Sequence, residues 1–270
     1  MARDGEGRTA LITGASAGIG KALAEEFARN GFDVVLTARR EGRMRELGAQ
    51  LEQKYKIKAH IFTADLSDPV APANLCQAFA ARGLQIDALV NNAGYGLTGS
   101  YHASTWEAQR DFLQVLVTAP CAFAHLLLPG MQERRYGRII NVASVAGLMP
   151  GSAGATLYAA AKAAMVKFSQ SLHSENKDTG VHVSTLCPGF TYSEFHDVNH
   201  MRDLVNKLPK VFWLTADYVA ACGYKAVMRN KAVEVPGLLY KTLVQVPRLL
   251  PDSWALALMQ RQSGRFRSAT

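Results

Sequence analysis

The sequence has no apolar run near the roughly 20 residues that a membrane-spanning helix needs, and its first residues, MARDGEGR, are charged where a secretion signal would be apolar. Neither spanning nor secretion is expected. Cysteine is scarce: Cys76, Cys121, Cys187 and Cys222 lie far apart without a CxxC pair. That excludes a disulfide framework and a zinc signature, and it suits a reducing cytoplasm. Acidic residues are few toward the end of the chain. From Lys225 onward the basic residues Lys225, Arg229, Lys231, Lys241, Arg248, Arg261, Arg265 and Arg267 face only Glu234 and Asp252, so this segment carries most of the net charge of +8. The remainder is almost balanced and contains no basic helix interleaved with aromatics, so no nucleic-acid partner is expected.

What is present suits one folded domain. Hydrophobic residues make up 49% of the chain and charged residues 19%, ample for a core at this length. Apolar runs at 9–13, 33–38, 59–64, 86–91, 138–143, 181–186 and 232–235 alternate with helical stretches, the first from Ile19 to Asn30 with Gly31 as its stop. Continuous apolar strands separated by helices predict a doubly wound α/β fold, a parallel sheet covered on both faces. Internal repeats and low-complexity tracts are missing. The rhythm breaks only after residue 237, so residues 1–237 are read as the main domain and 238–270 as an extension packed on it.

Between the first run and the first helix stands Thr13-Gly14-Ala15-Ser16-Ala17-Gly18-Ile19-Gly20. Glycines there let the backbone approach an anion, and the helix N-terminus offers free N–H groups, so the turn suits a pyrophosphate. The second run ends in Arg39 and Arg40, with no carboxylate to take the ribose hydroxyls of NAD. Two guanidinium groups suit the extra phosphate of NADP, so NADP(H) is favoured over NAD(H). Asp65, after the third run, either accepts from the adenine amino group or caps a helix entry.

Tyr158 and Lys162 are four residues apart, which on a helix places both on one face. A nearby ammonium favours the phenolate and so lowers a tyrosine pKa. Ser144 follows the fifth run, at the strand end where open α/β sheets bind ligands, and its hydroxyl can orient a carbonyl. Together, TGASAGIG (13–20), Asp65-Leu66, NNAG (91–94), Ser144, Tyr158 with Lys162, and Pro188-Gly189 resemble the short-chain dehydrogenases/reductases, over residues 7–237.

The resemblance implies a Rossmann-like sheet of about seven parallel strands binding a nicotinamide cofactor, with Gly14, Ser16, Gly18, Ile19 and Gly20 at the pyrophosphate turn and Asp65-Leu66 near the adenine. It implies that Tyr158 is the proton donor or acceptor, that Lys162 binds the nicotinamide ribose and lowers the tyrosine pKa, and that Ser144 holds the carbonyl oxygen. Asn91, Ala93 and Gly94 would lie along the adenosine ribose and stabilise the central strand. Pro188, Gly189 and Thr191 or Ser193 would face the nicotinamide. A homodimer or homotetramer is expected on the same ground.

One departure stands out: Leu116 occupies the place where most such members carry a helix-bending asparagine that supports a water chain from the lysine. No asparagine occurs between Ala93 and Ile140. An active enzyme with a Ser-Tyr-Lys triad is expected, the rival being a silent NADP(H)-binding regulator. The segment after Gly189 is rich in large apolar residues, Phe190, Phe195, Met201, Val211, Phe212 and Trp213, and Leu148 and Met149 follow Ser144. These suit a bulky apolar carbonyl or alcohol substrate or fill the core. His196 and His200, flanked by Glu194 and Asp197, are not expected to bind metal. In the extension, Leu249, Leu250, Trp254, Leu256, Leu258 and Met259 alternate with arginines, and Pro251-Asp252-Ser253 is a helix start. Covering the pocket or packing between subunits is favoured over lying on an anionic membrane, where a membrane-docked reductase of long-chain acyl substrates would sit.

Overall fold

The computed structural model describes residues 3–97, 100–151, 153–154, 156–193, 209–251 and 253–257. Seven strands, β1 (Thr9–Thr13), β2 (Asp33–Ala38), β3 (Ala59–Thr63), β4 (Ala88–Asn91), β5 (Gly137–Val142), β6 (Val181–Leu186) and β7 (Val233–Glu234), form one sheet. Their order is β3-β2-β1-β4-β5-β6-β7, and every pair is parallel. The expected doubly wound, Rossmann-like sheet is therefore observed. The direction in which successive strands are added reverses between β1 and β4, and the crevice beyond their carboxyl ends is where such sheets bind ligands.

The helices are α1 (Gly18–Arg29), α2 (Glu41–Tyr55), α3 (Ala71–Ala81), α4 (Trp106–Leu113), α5 (Ala119–Glu133), α6 (Thr156–Glu175), α7 (Ala216–Met228) and α8 (Leu238–Leu243). Both faces of the sheet are buried, which is why its strands read as unbroken apolar runs. On one face Ile12, Val34, Leu36 and Val90 pack with Leu23 and Phe27 of α1, Met44 and Leu47 of α2, and Val219 and Val227 of α7. On the other, Leu11, Val35, Leu89 and Val183 pack with Leu75 and Phe79 of α3, Phe112 of α4, Phe123 of α5 and Leu172 of α6.

Helices α4 and α5 are joined by a π-helical turn at Gln114–Thr118. Its cause lies in the sequence: Pro120 has no N–H to give to the Leu116 carbonyl, and Ala119 instead bonds back to Gln114. The combined segment Trp106–Glu133 is long and apolar enough by composition to cross a membrane. Here it covers the sheet, with Phe112, Phe123 and Met131 buried. Its outer side is largely uncovered.

Tyr240 and Val244 enter a third apolar cluster with Ala143, Met165, Val166 and Val235, and Ala255 is buried as well. Residues 253–257 are helical, as the Pro251-Asp252-Ser253 start predicts. Asp252, Leu258, Met259, Arg261, Arg265 and Arg267 lie outside the described residues, as do Glu194, Phe195, His196, Asp197, His200 and Met201.

Candidate active site

Four segments converge at the carboxyl end of the central strands. The first is the turn between β1 and α1. Gly14 and Gly18 have positive φ, 67° and 55°, which glycine adopts without strain. A Cβ on Gly14 would come within 2.8 Å of Ala93 Cα, one on Gly18 within 2.9 Å of Ser193 Cβ, and one on Gly20 would collide with the Gly14 carbonyl and the Asn92 amide. Helix α1 has no side-chain cap on its first N–H groups and no acid in its first turn. That leaves an electropositive end suited to an anion.

Beside it, the two arginines at the end of β2 face different partners. Arg40 donates from Nε and Nη2 to Ser16 Oγ at 3.2 and 3.0 Å, so it is held against the glycine turn. Arg39 lies 3.9 Å from Asp65 Oδ2, and both side chains are half-exposed or more. Asp65 itself is bound in a local turn, accepting from the N–H and hydroxyl of Ser67 at 3.0 and 2.9 Å. Those bonds, the backbone one first, hold its carboxyl below the ordinary range. Leu66 turns its side chain into the core.

NNAG divides its labour. Asn91 is buried and donates to Asn141 Oδ1 at 2.8 Å and to the Pro120 carbonyl at 3.2 Å, so its amide links β4 to β5 and to α5. Asn92, which sequence reasoning passed over, donates to the carbonyls of Thr13 and Gly14. Thr13, also passed over, accepts from the N–H groups of Asn92 and Ala93 at 3.0 Å and donates to Val90. A polar residue closing an otherwise apolar strand was the available signal for Thr13. Gly94 faces Leu116, whose Cδ1 would lie 3.6 Å from a Cβ there. Leu116 is buried in the π-helical turn, so the site of the expected water relay is apolar on its side-chain side. The Leu116 carbonyl is four residues before Pro120 and has no α-helical donor.

Ser144, Tyr158 and Lys162 come together. Ser144 follows β5 and caps the short turn Val145–Leu148, accepting from Ala146 N–H at 3.2 Å. Burial raises the Tyr158 phenol above its ordinary value, and the neighbouring Ser144 hydroxyl opposes this only in part. Lys162 is buried, donates to the Val142 carbonyl at 2.8 Å, and holds its ammonium 5.8 Å from the centre of the Tyr158 ring. Desolvation pushes its pKa down to about 8, opposed by the field of Cys187. In this arrangement Tyr158 is a protonated phenol at neutral pH, the donor form.

The fourth segment is Pro188-Gly189 after β6. The Pro188 carbonyl accepts from Val145 N–H at 3.0 Å, tying this turn to the Ser144 loop. Thr191 is buried with its hydroxyl on the Gly189 carbonyl at 3.0 Å, and Ser193 lies against Gly18. The structure thus unites the glycine turn, Arg40, the triad and the Pro188-Gly189 turn. No cluster of three or more metal-ligating side chains occurs among the described residues.

The glycine turn, the uncapped α1 terminus and the paired arginines fit a phosphorylated dinucleotide. Residues 8–202 match the family model of the short chain dehydrogenases. The chain is 31% identical over 199 residues to a very-long-chain 3-oxoacyl-CoA reductase of Anas platyrhynchos, covering 72% of this chain but 63% of the duck protein's own length. It is 38% identical over 186 residues to the 3-oxoacyl-(acyl-carrier-protein) reductase of Vibrio cholerae, covering 68% of this chain and 74% of that one. Among solved structures, a short-chain dehydrogenase of Sphingobium yanoikuyae in complex with NADPH superposes with a TM-score of 0.79 at 30% identity, covering 89% and 93% of the two chains. The bulky-bulky ketone specific alcohol dehydrogenase of Comamonas testosteroni gives 0.75 at 29% identity, covering 89% and 92%.

Proposed function

Since this chain belongs to the short-chain dehydrogenase family, an oxidoreductase family using nicotinamide cofactors, we propose that it is an NADP(H)-dependent carbonyl reductase or alcohol dehydrogenase acting on bulky apolar substrates. The observation that carries the reading is the Ser144, Tyr158 and Lys162 constellation at the strand ends, beside a dinucleotide turn braced by Arg40. The NADPH complex of the Sphingobium protein and the named preference of the Comamonas enzyme support cofactor and substrate class.

The pyrophosphate would lie on the Gly14–Gly20 turn, the extra phosphate between Arg39 and Arg40, and the nicotinamide between Lys162 and Pro188-Gly189. Asp65, Leu66, Ala93 and Gly94 would flank the adenosine side. When bound, the cofactor supplies or accepts the hydride. In reduction the Ser144 hydroxyl holds the carbonyl oxygen and Tyr158 gives its phenolic proton to the developing alkoxide. The Lys162 ammonium stabilises the phenolate that remains, which regains its proton from solvent. In oxidation the phenolate is the base. Leu148, Met149 and Phe190 beside Ser144 offer the apolar wall that a bulky substrate needs.

The test follows NADPH and NADH consumption with a panel of bulky ketones and aldehydes, wild type beside Tyr158→Phe. The expected result is turnover with NADPH that falls by about 10²–10⁴-fold in the variant, while NADPH binding persists. Binding without turnover across the panel would instead establish the silent-regulator alternative.

A second reading concerns location and substrate length, and one observation favours it: Leu238, Leu249 and Trp254 in the extension are 78%, 83% and 67% exposed. An outward apolar face on a basic segment suits a membrane-docked reductase of long-chain acyl or lipid ketones, consistent with the named activity of the duck relative. The uncovered outer side of α5, with Leu126 exposed, is proposed as the subunit contact.

A further inference from the structure

Resting on the NADP(H) reading, we infer that Tyr240 of the C-terminal extension is a positioning residue for the nicotinamide half of the cofactor, acting through the backbone of the Pro188-Gly189 turn. The chain from Pro188 to Ser193 runs between two parts of the site. At one end the Pro188 carbonyl accepts from the N–H of Val145, the residue after Ser144, at 3.0 Å. At the other, Ser193 lies against Gly18 of the glycine turn. A dinucleotide with its pyrophosphate on that turn and its reactive ring at Ser144 and Tyr158 would have its nicotinamide half along this stretch. The adenosine half would lie apart from it, at Arg39, Arg40 and Asp65.

Tyr240 holds the middle of this stretch. It stands on α8 and is 4% exposed. Its ring lies directly on Gly189, where a Cβ would come within 2.0–2.3 Å of three ring carbons, so only glycine lets the turn approach the ring this closely. Its hydroxyl accepts from the Phe190 N–H at 3.0 Å and donates to the Phe212 carbonyl at 2.6 Å. The peptide group between Gly189 and Phe190 is thereby fixed at both ends, its N–H by Tyr240 and its carbonyl by the Thr191 hydroxyl at 3.0 Å. Ring and turn are also tied to the same residue of β7. The Glu234 carbonyl accepts from the Cys187 N–H at 2.8 Å, just before the turn, and the Glu234 carboxylate lies 3.6 Å from Nζ of Lys241, the residue after Tyr240. A phenylalanine would fill the space of the Tyr240 ring equally well. What the hydroxyl adds is the orientation of one peptide group in the turn.

The experiment titrates the full-length protein calorimetrically with NADPH and with adenosine 2′,5′-bisphosphate, which has the adenosine half and its extra phosphate but no nicotinamide, wild type beside Tyr240→Phe. Losing two hydrogen bonds of ordinary strength predicts a Kd for NADPH raised about tenfold, with the Kd of the bisphosphate held within about twofold. A fold that is merely loosened weakens both ligands alike. Equal changes for the two, or an unchanged Kd for NADPH, would overturn the proposal. Gly189→Ala attacks the same contact from the turn, since its methyl displaces the ring and leaves the hydroxyl in the molecule. It should reproduce the NADPH-selective loss, and the double variant should lose no more than about the larger single loss, because both changes act through one contact. An unchanged Kd for NADPH in Gly189→Ala, or losses that multiply in the double variant, also overturns the proposal. A wild type that binds neither ligand would end the NADP(H) reading and the proposal with it, whereas a wild type that binds both, with equal losses in Tyr240→Phe, ends the proposal alone.

Discussion

At Lys162 the environment works against the charge that the residue is expected to carry. An amine with one carbonyl partner in a buried setting has its pKa pushed down to about 8 from the ordinary 10.5. Between those two pH values the unfolded chain binds a proton that the folded chain does not. Stability therefore rises with pH across the window, by up to about 3 kcal/mol for this group if it acted alone. Lys162→Met removes the titration. Measured as urea midpoints from about pH 8 to about pH 10, the wild type should gain on the variant as pH rises, and a constant difference would show that Lys162 is solvated. That Ser144, Tyr158 and Lys162 come together was legible from their spacing and order in the sequence. The height of the Tyr158 pKa was not. The sequence leads one to expect the ammonium to depress it, whereas burial is the largest influence in the structure and raises it.

Among the elements, strand positions were legible because a parallel sheet buried on both faces leaves continuous apolar runs, and the expected and observed strands differ only at their ends. At the fourth, Asp87 joins no strand since its N–H and side chain instead bond Thr9 at the lower edge of β1. The turn of the combined α4–α5 segment was half legible. Pro120 is visible in the sequence, but that the helix absorbs it as a π turn, with Leu116 turned toward Gly94, is seen only in the structure. Asn92, Thr13 and Tyr240 escaped because their roles are bonds across about 30 to 80 residues of chain, which no local pattern encodes. The glycine turn offers an element-scale test. Gly20 sits where α1 crosses Gly14 and Asn92, both backbone-fixed neighbours, so Gly20→Ala cannot be accommodated by a rotamer change. We expect a loss of about 1–3 kcal/mol in urea unfolding together with loss of NADPH binding in a fluorescence titration. An unchanged affinity would show that the turn does not carry the pyrophosphate.

For the molecule as a whole, the open question is what the extension's outer face meets. Its inner face is committed: Tyr240, Val244 and Ala255 are buried against the domain. Outward stand Leu238, Leu243, Val246, Leu249, Trp254 and Leu256. The sequence from Val235 to the end has five basic residues, Lys241, Arg248, Arg261, Arg265 and Arg267, and one acid, Asp252. Two copies of so basic a sequence repel one another, whereas an anionic bilayer attracts each basic residue by about 1 kcal/mol and accepts apolar side chains at about 25 cal/mol per Å² buried. The intact protein should therefore co-sediment with vesicles containing phosphatidylserine at low salt, far less with pure phosphatidylcholine, and less with the anionic vesicles as salt rises. Replacing the exposed Leu249 and Trp254 together by aspartate should weaken that binding by about tenfold or more through lost burial and added repulsion, with NADPH binding kept because neither side chain belongs to the cofactor turn. No sedimentation of the intact protein with anionic vesicles would return the face to the pocket or to a second copy, and analytical ultracentrifugation of the same aspartate variant would separate those two, since only a subunit contact would make it smaller.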